Sequence, residues 1–463
     1  MSEQATTVQS ANDLTEGPIA KKILIFAMPI IASNLLMQLY NAVDSIVIGQ
    51  YAGTEALAAV GVSNPIMMLF NALFIGFSVG ASIVVAQTFG AKDMARLRRT
   101  INTVFALAFT VGIIITVFGV LLCKQILFML NVPESVIGDA HVYLVIIFTG
   151  TIGNVFFNYG GGILRGMGDS KSPLVALAIS CVLNIVLDIW FVFGFDMGVA
   201  GVAWATVIGQ TLSGLVLASR INRFGHGLGI SLKEMLRPDR EIIRNVFKLG
   251  IPSGLQNIAM SLGGVIVQSF TNSFGPVFIA ANTVVMRLDG FVIMPMFGLS
   301  MSATTFVGQN TGAGNHERAQ KGVGTIITMV AALALSMAVI VYFFGHYGVR
   351  VFTQEFEVIE IAVQGVRIIC FVYLFMGLDV TLAGAMRGAG MATVPMMTSI
   401  TSNIIRIPLV YFLAIRPFNY HGVFYAMATS MIIGATLISS YYVFGNWREK
   451  GIRVPGTPSL EVE

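Results

Sequence analysis

The sequence predicts an all-α integral membrane protein. It has twelve transmembrane helices in two six-helix bundles, parallel repeats related by a pseudo-twofold axis along the membrane normal. Three observations lead there. First, of the 463 residues 56% are hydrophobic and only 11% charged, with a mean hydropathy of +0.81, whereas a soluble domain of this size carries about 25% charged residues. Second, apolar runs of about 20 residues, enough to cross about 30 Å of hydrocarbon, recur along the whole chain. Third, the second half of the sequence matches the first at a nearly constant offset.

The apolar runs place spans at about 23–50, 57–88, 100–122, 137–160, 173–194 and 198–220, then at about 243–272, 278–308, 322–345, 357–384, 395–414 and 422–445. The predicted organisation is a cytoplasmic tail (1–22), an N-lobe of six helices (23–220), a cytoplasmic inter-lobe loop (221–242), a C-lobe of six helices (243–445) and a cytoplasmic tail (446–463). The first apolar run is a full-length span, so it is read as an uncleaved start rather than a signal peptide.

Charge placement tests this count. With both termini on one side, 21 of the 27 Lys and Arg fall on that side, seven of them in the inter-lobe loop. Only Lys124, Arg350 and Arg416 fall opposite, and Arg287, Arg367 and Arg406 lie within spans. The positive-inside rule then puts both termini in the cytoplasm, and the chain is expected in the inner (plasma) membrane.

At an offset of 222, "AQTFGAKDMAR" (86–96) lies over "GQNTGAGNHER" (308–318), and "LRGMGDSKSP" (164–173) over "MRGAGMATVP" (386–395). At 223, Pro29 and Asn34 meet Pro252 and Asn257. Six spans per repeat is an even number, so the halves are parallel, a geometry shared with secondary transporters. Pro29, Pro65, Pro252 and Pro295 interrupt spans and are candidate kinks.

The residues that carry chemistry are the polar ones at membrane depth. A carboxylate near a bilayer centre costs about 2.5–3.5 kcal/mol on translocon scales. Asp188 sits four residues after Asn184, on one face of the fifth span. Counted from the outer surface, Asp44, Asn184, Asp188 and Thr206 share one depth band of the N-lobe. Two carboxylates in such a place share a proton or hold a cation between them, and the oxygens of all four side chains suit H⁺ or Na⁺. The alternative is an interhelical hydrogen-bond cluster that joins the spans. Gln38, Asn41, Asn154 and Asn158 either line a wet substrate path or bond between helices. Arg287, Asp289, Asp379 and Arg406 are expected to form a separate ion-paired network in the C-lobe, either structural or contributing to a second site.

Several classes are excluded. "GMGDSKS" (166–172) lacks the glycine before the lysine of a phosphate-binding loop. The five His all fall in loops or at span ends, and no nucleophile–base constellation appears, so no enzyme is expected. Cys123, Cys181 and Cys370 read as packing residues. No cofactor is expected, no metal beyond Na⁺ at the coupling cluster, and no nucleic-acid partner.

The stretches "PIIASNLLMQLYNAVDSIVIGQYAG", "AQTFGAKD", "LRGMGDSKSP" and "NIVLDIWFVFGFDMGVAGVAWAT", with the twelve-span duplication, resemble the multidrug and toxic compound extrusion (MATE) family, prokaryotic type, over residues 20–450. The resemblance implies a monomeric antiporter that expels cationic, amphipathic or zwitterionic organic molecules in exchange for H⁺ or Na⁺, as in antibiotic resistance. It also implies an N-lobe carboxylate site at Asp44, Asn184, Asp188 and Thr206. Members of one branch carry an acidic residue on span 10, where Asp379 lies. The alternative reading is a flippase of a lipid-linked precursor with the same two-lobed fold, which would hold phosphates with several central arginines. A non-transporting receptor or scaffold is the third.

Overall fold

Every predicted span is helical in the computed structural model, which describes residues 13–48, 53–130, 132–224, 228–415, 419–445 and 447. The first twelve residues of the N-terminal tail, the end of the first span at 49–50, His226, Arg416, and the C-terminal tail with Arg448, Lys450 and Arg453 lie outside the described residues. In the first half the helices are α1 (Ile19–Val47), α2 (Gly53–Gly90), α3 (Met94–Met129), α4 (Glu134–Thr149), α5 (Thr151–Gly166), α6 (Lys171–Asp188) and α7 (Gly198–Asn222). A short α8 (Leu232–Met235) sits in the inter-lobe loop. The second half continues with α9 (Arg240–Asn272), α10 (Pro276–Gly312), α11 (His316–Phe352), α12 (Phe356–Cys370), α13 (Tyr373–Gly388), α14 (Thr393–Ile415) and α15 (His421–Phe444).

Among the described residues, nine helices are long and apolar enough to span a bilayer alone. The fourth span of each half is instead a bent pair, α4–α5 at 49° and α12–α13 at 52°. The 33-residue α9 completes twelve; Gln256, Asn257, Gln268 and several Ser and Gly keep its uncharged part less hydropathic than the others. Pro29, Pro65, Pro252 and Pro295 all lie inside helices. The three cysteines are free and buried.

The duplication is visible down to single contacts. Asp93 caps α3 by accepting from the Arg96 N–H, and Asn315, 222 residues on, caps α11 by accepting from the Arg318 N–H. Gly168 and Gly390 take the same left-handed backbone (φ 84° and 87°) after α5 and α13, so the repeated "RGxG" motif is a helix stop. Asp169 then accepts from the Lys171 and Ser172 N–H groups to start α6. Ser78 Oγ donates to the Asn158 carbonyl, and its counterpart Ser300 Oγ donates to the Val380 carbonyl. A Cβ on Gly162 or Gly384 would lie 2.8 Å from Ser78 Oγ or 2.3 Å from the Ser300 carbonyl oxygen. Only glycine lets these backbones approach so closely, the small-residue packing expected of membrane helices.

The chain divides into two compact units, Ala32–Ile251 and Leu14–Ile31 with Pro252–Glu463. The first turns of α1 therefore belong to the second unit. Ile23, Phe26, Ala27 and Ile30 join one buried cluster with Phe278, Met296 and Phe306, and Arg318 Nη2 donates to the Gly17 carbonyl at 2.7 Å. Conversely, the first turns of α9 pack in the first unit, with Phe247 edge-on to Phe77 at 5.1 Å. Both handovers lie beside the matched prolines Pro29 and Pro252, whose missing N–H weakens the helix locally.

Candidate functional site

The carboxylate cluster is assembled inside the first unit by α1, α6 and α7. Asp188 is the last residue of α6, wholly buried, and Asn184 is buried one turn earlier. The seam between α6 and α7 is narrow because Gly209 carries no side chain. A Cβ there would lie 3.1 Å from Ser180 Oγ and 3.6 Å from the Asn184 Cβ. This approach sets Thr206, one turn before Gly209, against Asn184.

With its carboxamide nitrogen facing Asp188, Asn184 donates to Asp188 Oδ2 at 2.9 Å and accepts from the Thr206 backbone N–H at 3.1 Å. The opposite orientation offers only a 3.4 Å contact to Thr206 Oγ1, so the satisfied one is assigned. Asp44, on α1, lies within hydrogen-bonding reach of Asp188. All four predicted residues are thus brought together.

One oxygen of each acid, Asp44 Oδ1 and Asp188 Oδ1, is buried without a hydrogen-bond partner. Two buried carboxyls this close share a proton or hold a cation between them. Asn184 orients and serves Asp188 as a donor; its own oxygen is turned to the α7 backbone.

Sequence reasoning missed two tyrosines. Tyr40 lies beside Thr206 and the two acids, and Tyr143 on α4 lies close enough to feel both carboxylates. A six-residue π turn (Ile189–Gly194) also begins directly after Asp188; such turns are frequent at functional sites.

The other candidates separate. Asn158 donates to the Asn154 carbonyl at 3.0 Å and to its side-chain oxygen at 2.7 Å, so these two pair along α5. Gln38 and Asn41 are exposed on α1.

The expected C-lobe network is corrected: among the described residues no ion pair joins any two of Arg287, Asp289, Asp379 and Arg406. Residues two apart on a helix face different ways. Accordingly, Arg287 is exposed and lies over the Phe352 ring, while buried Asp289 accepts from Tyr373 Oη at 2.6 Å. Arg406 Nε donates to Ser430 Oγ at 2.8 Å. Asp379 and Arg406 share the wall of a cavity of about 170 Å³ with Ser399, Ser402, Asn403 and Met260. An engineered cavity of about 150 Å³ admits benzene, so this one has room for a single ring-sized group. No group of three or more His, Cys, Asp or Glu able to hold a metal occurs among the described residues.

A duplicated twelve-helix bundle with a carboxylate pair at membrane depth defines the class, a two-lobed membrane transporter. The MatE family model matches residues 29–190 and again 252–412, and the chain belongs to this family of transporters, which are not enzymes. The probable multidrug resistance protein YpnP of Bacillus subtilis is 30% identical over 95% of this chain and 98% of its own length. The probable multidrug resistance protein NorM of Thermotoga maritima is 28% identical, over 94% of each. A crystal structure of a MATE protein in a bent conformation superposes with a TM-score of 0.88 at 23% identity, covering 95% of this chain and 97% of that one.

Proposed function

We propose that this protein exports cationic or amphipathic organic compounds across the plasma membrane in exchange for H⁺ or Na⁺ bound at the N-lobe cluster. The observation that carries this reading is the Asp44–Asp188 pair, two carboxyls within hydrogen-bonding reach, each with a buried oxygen that has no partner. A merely structural junction would have used neutral amides and hydroxyls and left no acceptor unfilled.

In this mechanism a proton or Na⁺ enters from outside and bridges the two acids, leaving one net negative charge where there were two. The seam of α1 with α6 and α7 then repacks, because the repulsion that held the acids in their ionised arrangement is gone. Releasing the ion inward restores the charge and resets the lobe. Asn184 keeps Asp188 oriented throughout. Each turnover thereby links ion occupancy to one of two packings, the requirement for coupling.

The relatives named as multidrug resistance proteins support the export of organic compounds. The flippase reading has less support. Arg287 lies over Phe352, Arg367 over Tyr342 and Arg406 against Ser430, so the intramembrane arginines do not converge on a phosphate. Topology follows the positive-inside asymmetry, with both termini in the cytoplasm, and the working unit is a monomer.

The test is ethidium efflux from proteoliposomes under an imposed pH gradient, an imposed Na⁺ gradient or neither, for wild type and Asp188→Asn. Efflux driven by one gradient and lost in the variant is expected, and names the ion. Efflux indifferent to both gradients would refute coupling.

A further inference from the structure

The inter-lobe loop does not hang free. Asn102, buried on the third turn of α3, clamps it from both ends of its carboxamide. Its nitrogen donates to Glu234 Oε2 at 2.9 Å, and its oxygen accepts from the Ser231 N–H at 2.7 Å. Arg98 closes on Glu234 through Nε at 3.2 Å and Nη2 at 2.8 Å. The Asp239 N–H donates to Thr103 Oγ1 at 3.1 Å. Between the start of α3 and α8 this leaves a pocket of about 920 Å³.

Its charge is unbalanced. Four cations line it, Arg98, Arg99, Lys233 and Arg237, against Glu234 and Asp239. Arg98 is matched by Glu234, and Asp239 is spent capping α9, where its Oδ1 accepts from the Glu241 and Ile242 N–H groups. Arg99, Lys233 and Arg237 are exposed and form no ion pair among the described residues. Lys233 and Arg237 are thus held by a loop that is itself bolted down, facing a pocket that Arg99 lines from α3.

Beside them are two apolar side chains with nothing to cover them. Leu232 and Leu236, one turn apart on the same face, are 78% and 84% exposed. They are carried by the short turn that packs against α3, near where a spanning helix meets the headgroup layer. A leucine gains free energy on moving from water into an apolar phase, and basic pockets beside spanning helices are suited to acidic headgroups.

We propose that this pocket is a site for an anionic phospholipid: the phosphate lies among Arg99, Lys233 and Arg237, and the acyl region covers Leu232 and Leu236. The inference is independent of the transport reading, since none of these residues belongs to the carboxylate cluster.

The test uses the full-length protein, exchanged from detergent into equal mixtures of phosphatidylglycerol and phosphatidylcholine, with bound lipid counted by native mass spectrometry. Wild type is expected to retain phosphatidylglycerol at least tenfold over phosphatidylcholine. The triple variant Arg99→Gln, Lys233→Gln, Arg237→Gln should lose that preference. A control with the same loss of charge elsewhere, Lys21→Gln, Arg223→Gln, Arg244→Gln, should keep it. Leu232→Ser with Leu236→Ser should lower retention of both lipids. Equal retention of the two lipids by wild type, or the same preference in the triple variant as in the control, would overturn the proposal. So would displacement of the lipid by equimolar glycerol phosphate, which would mark a site for a free anion. All the substituted side chains are exposed, so folding is not at stake.

Discussion

Replacing Asp188 by Asn separates the two roles a buried carboxylate can play. The amide keeps the shape of the side chain and an oxygen to accept from Asn184 Nδ2, now 2.9 Å from Asp188 Oδ2. It removes a charge from a position with 0% exposure, where a carboxylate costs about 2.5–3.5 kcal/mol on translocon scales. It also removes the repulsion with Asp44. If the pair exists for coupling, the variant melts at or above the wild-type temperature, because function was being maintained at the expense of stability. Transport fails for a different reason. A tenfold gradient of the coupling ion supplies about 1.4 kcal/mol, which sustains a tenfold gradient of a monocation exchanged for it one for one; without an ion to carry, the variant only equilibrates its substrate. The assay pairs a melting curve in detergent with ethidium accumulation against its gradient in the same preparation. A variant that still reaches the wild-type gradient refutes the coupling role. A variant that melts many degrees lower, with activity falling in step with the folded fraction, would make the pair a structural junction.

Three further outcomes follow from contacts elsewhere. Gly384→Ala puts a methyl 2.3 Å from the Ser300 carbonyl oxygen and should lower the melting temperature sharply, by an overpacking cost of about 1–3 kcal/mol or more. Gly324→Ala on the same lobe meets nothing within 4 Å and should be neutral or stabilising by up to about 1 kcal/mol. Tyr373→Phe strips buried Asp289 of its 2.6 Å donor and should destabilise by about 1–3 kcal/mol, read from the same melting curves. Asn102→Ala unclamps the inter-lobe loop and should speed tryptic cleavage at Lys233 at least severalfold, followed on gels, while Asn158→Ala leaves that rate unchanged.

Much of this architecture was legible because it is written twice. The matched motifs at an offset of 222 become matched caps at Asp93 and Asn315 and matched left-handed stops at Gly168 and Gly390. Hydropathy located the spans, though not the bends that divide each fourth span, since a change of direction leaves apolar content unchanged. The four-residue cluster could be read because ionisable residues at membrane depth are costly and depth follows from topology. Tyr40 was also within reach: it precedes Asp44 by one turn on the same face. Tyr143 gave no such signal, being one aromatic among many in an apolar run. The C-lobe network was misjudged because depth alone grouped its members; helical phase sends Arg287 outward and Asp289 inward.

The two lobes share a scaffold and differ where a cation would bind. On the α6–α7 seam Asn184 bonds toward Thr206; at the same place on the α14–α15 seam stands Arg406, bonded to Ser430. One turn further on, Asp188 has Val410 as its counterpart, 1% exposed. The polar bridge between the two helices is retained in both lobes, so it belongs to the scaffold. The carboxylate that follows it is present only in the first. A small cation approaching the second seam meets a fixed guanidinium in place of a neutral amide and finds no acid one turn away. Asp379, the acid nearest to that seam, projects from a different helix, α13, and shares its cavity wall with the same Arg406. The positive charge of Arg387, on the same helix, offsets the field of Asp379, whereas among the described residues no lysine or arginine is bonded to Asp44 or Asp188. Under the proposed function, ion coupling is therefore confined to the first lobe, and the cavity of the second is better suited to a polar organic group than to a bare cation.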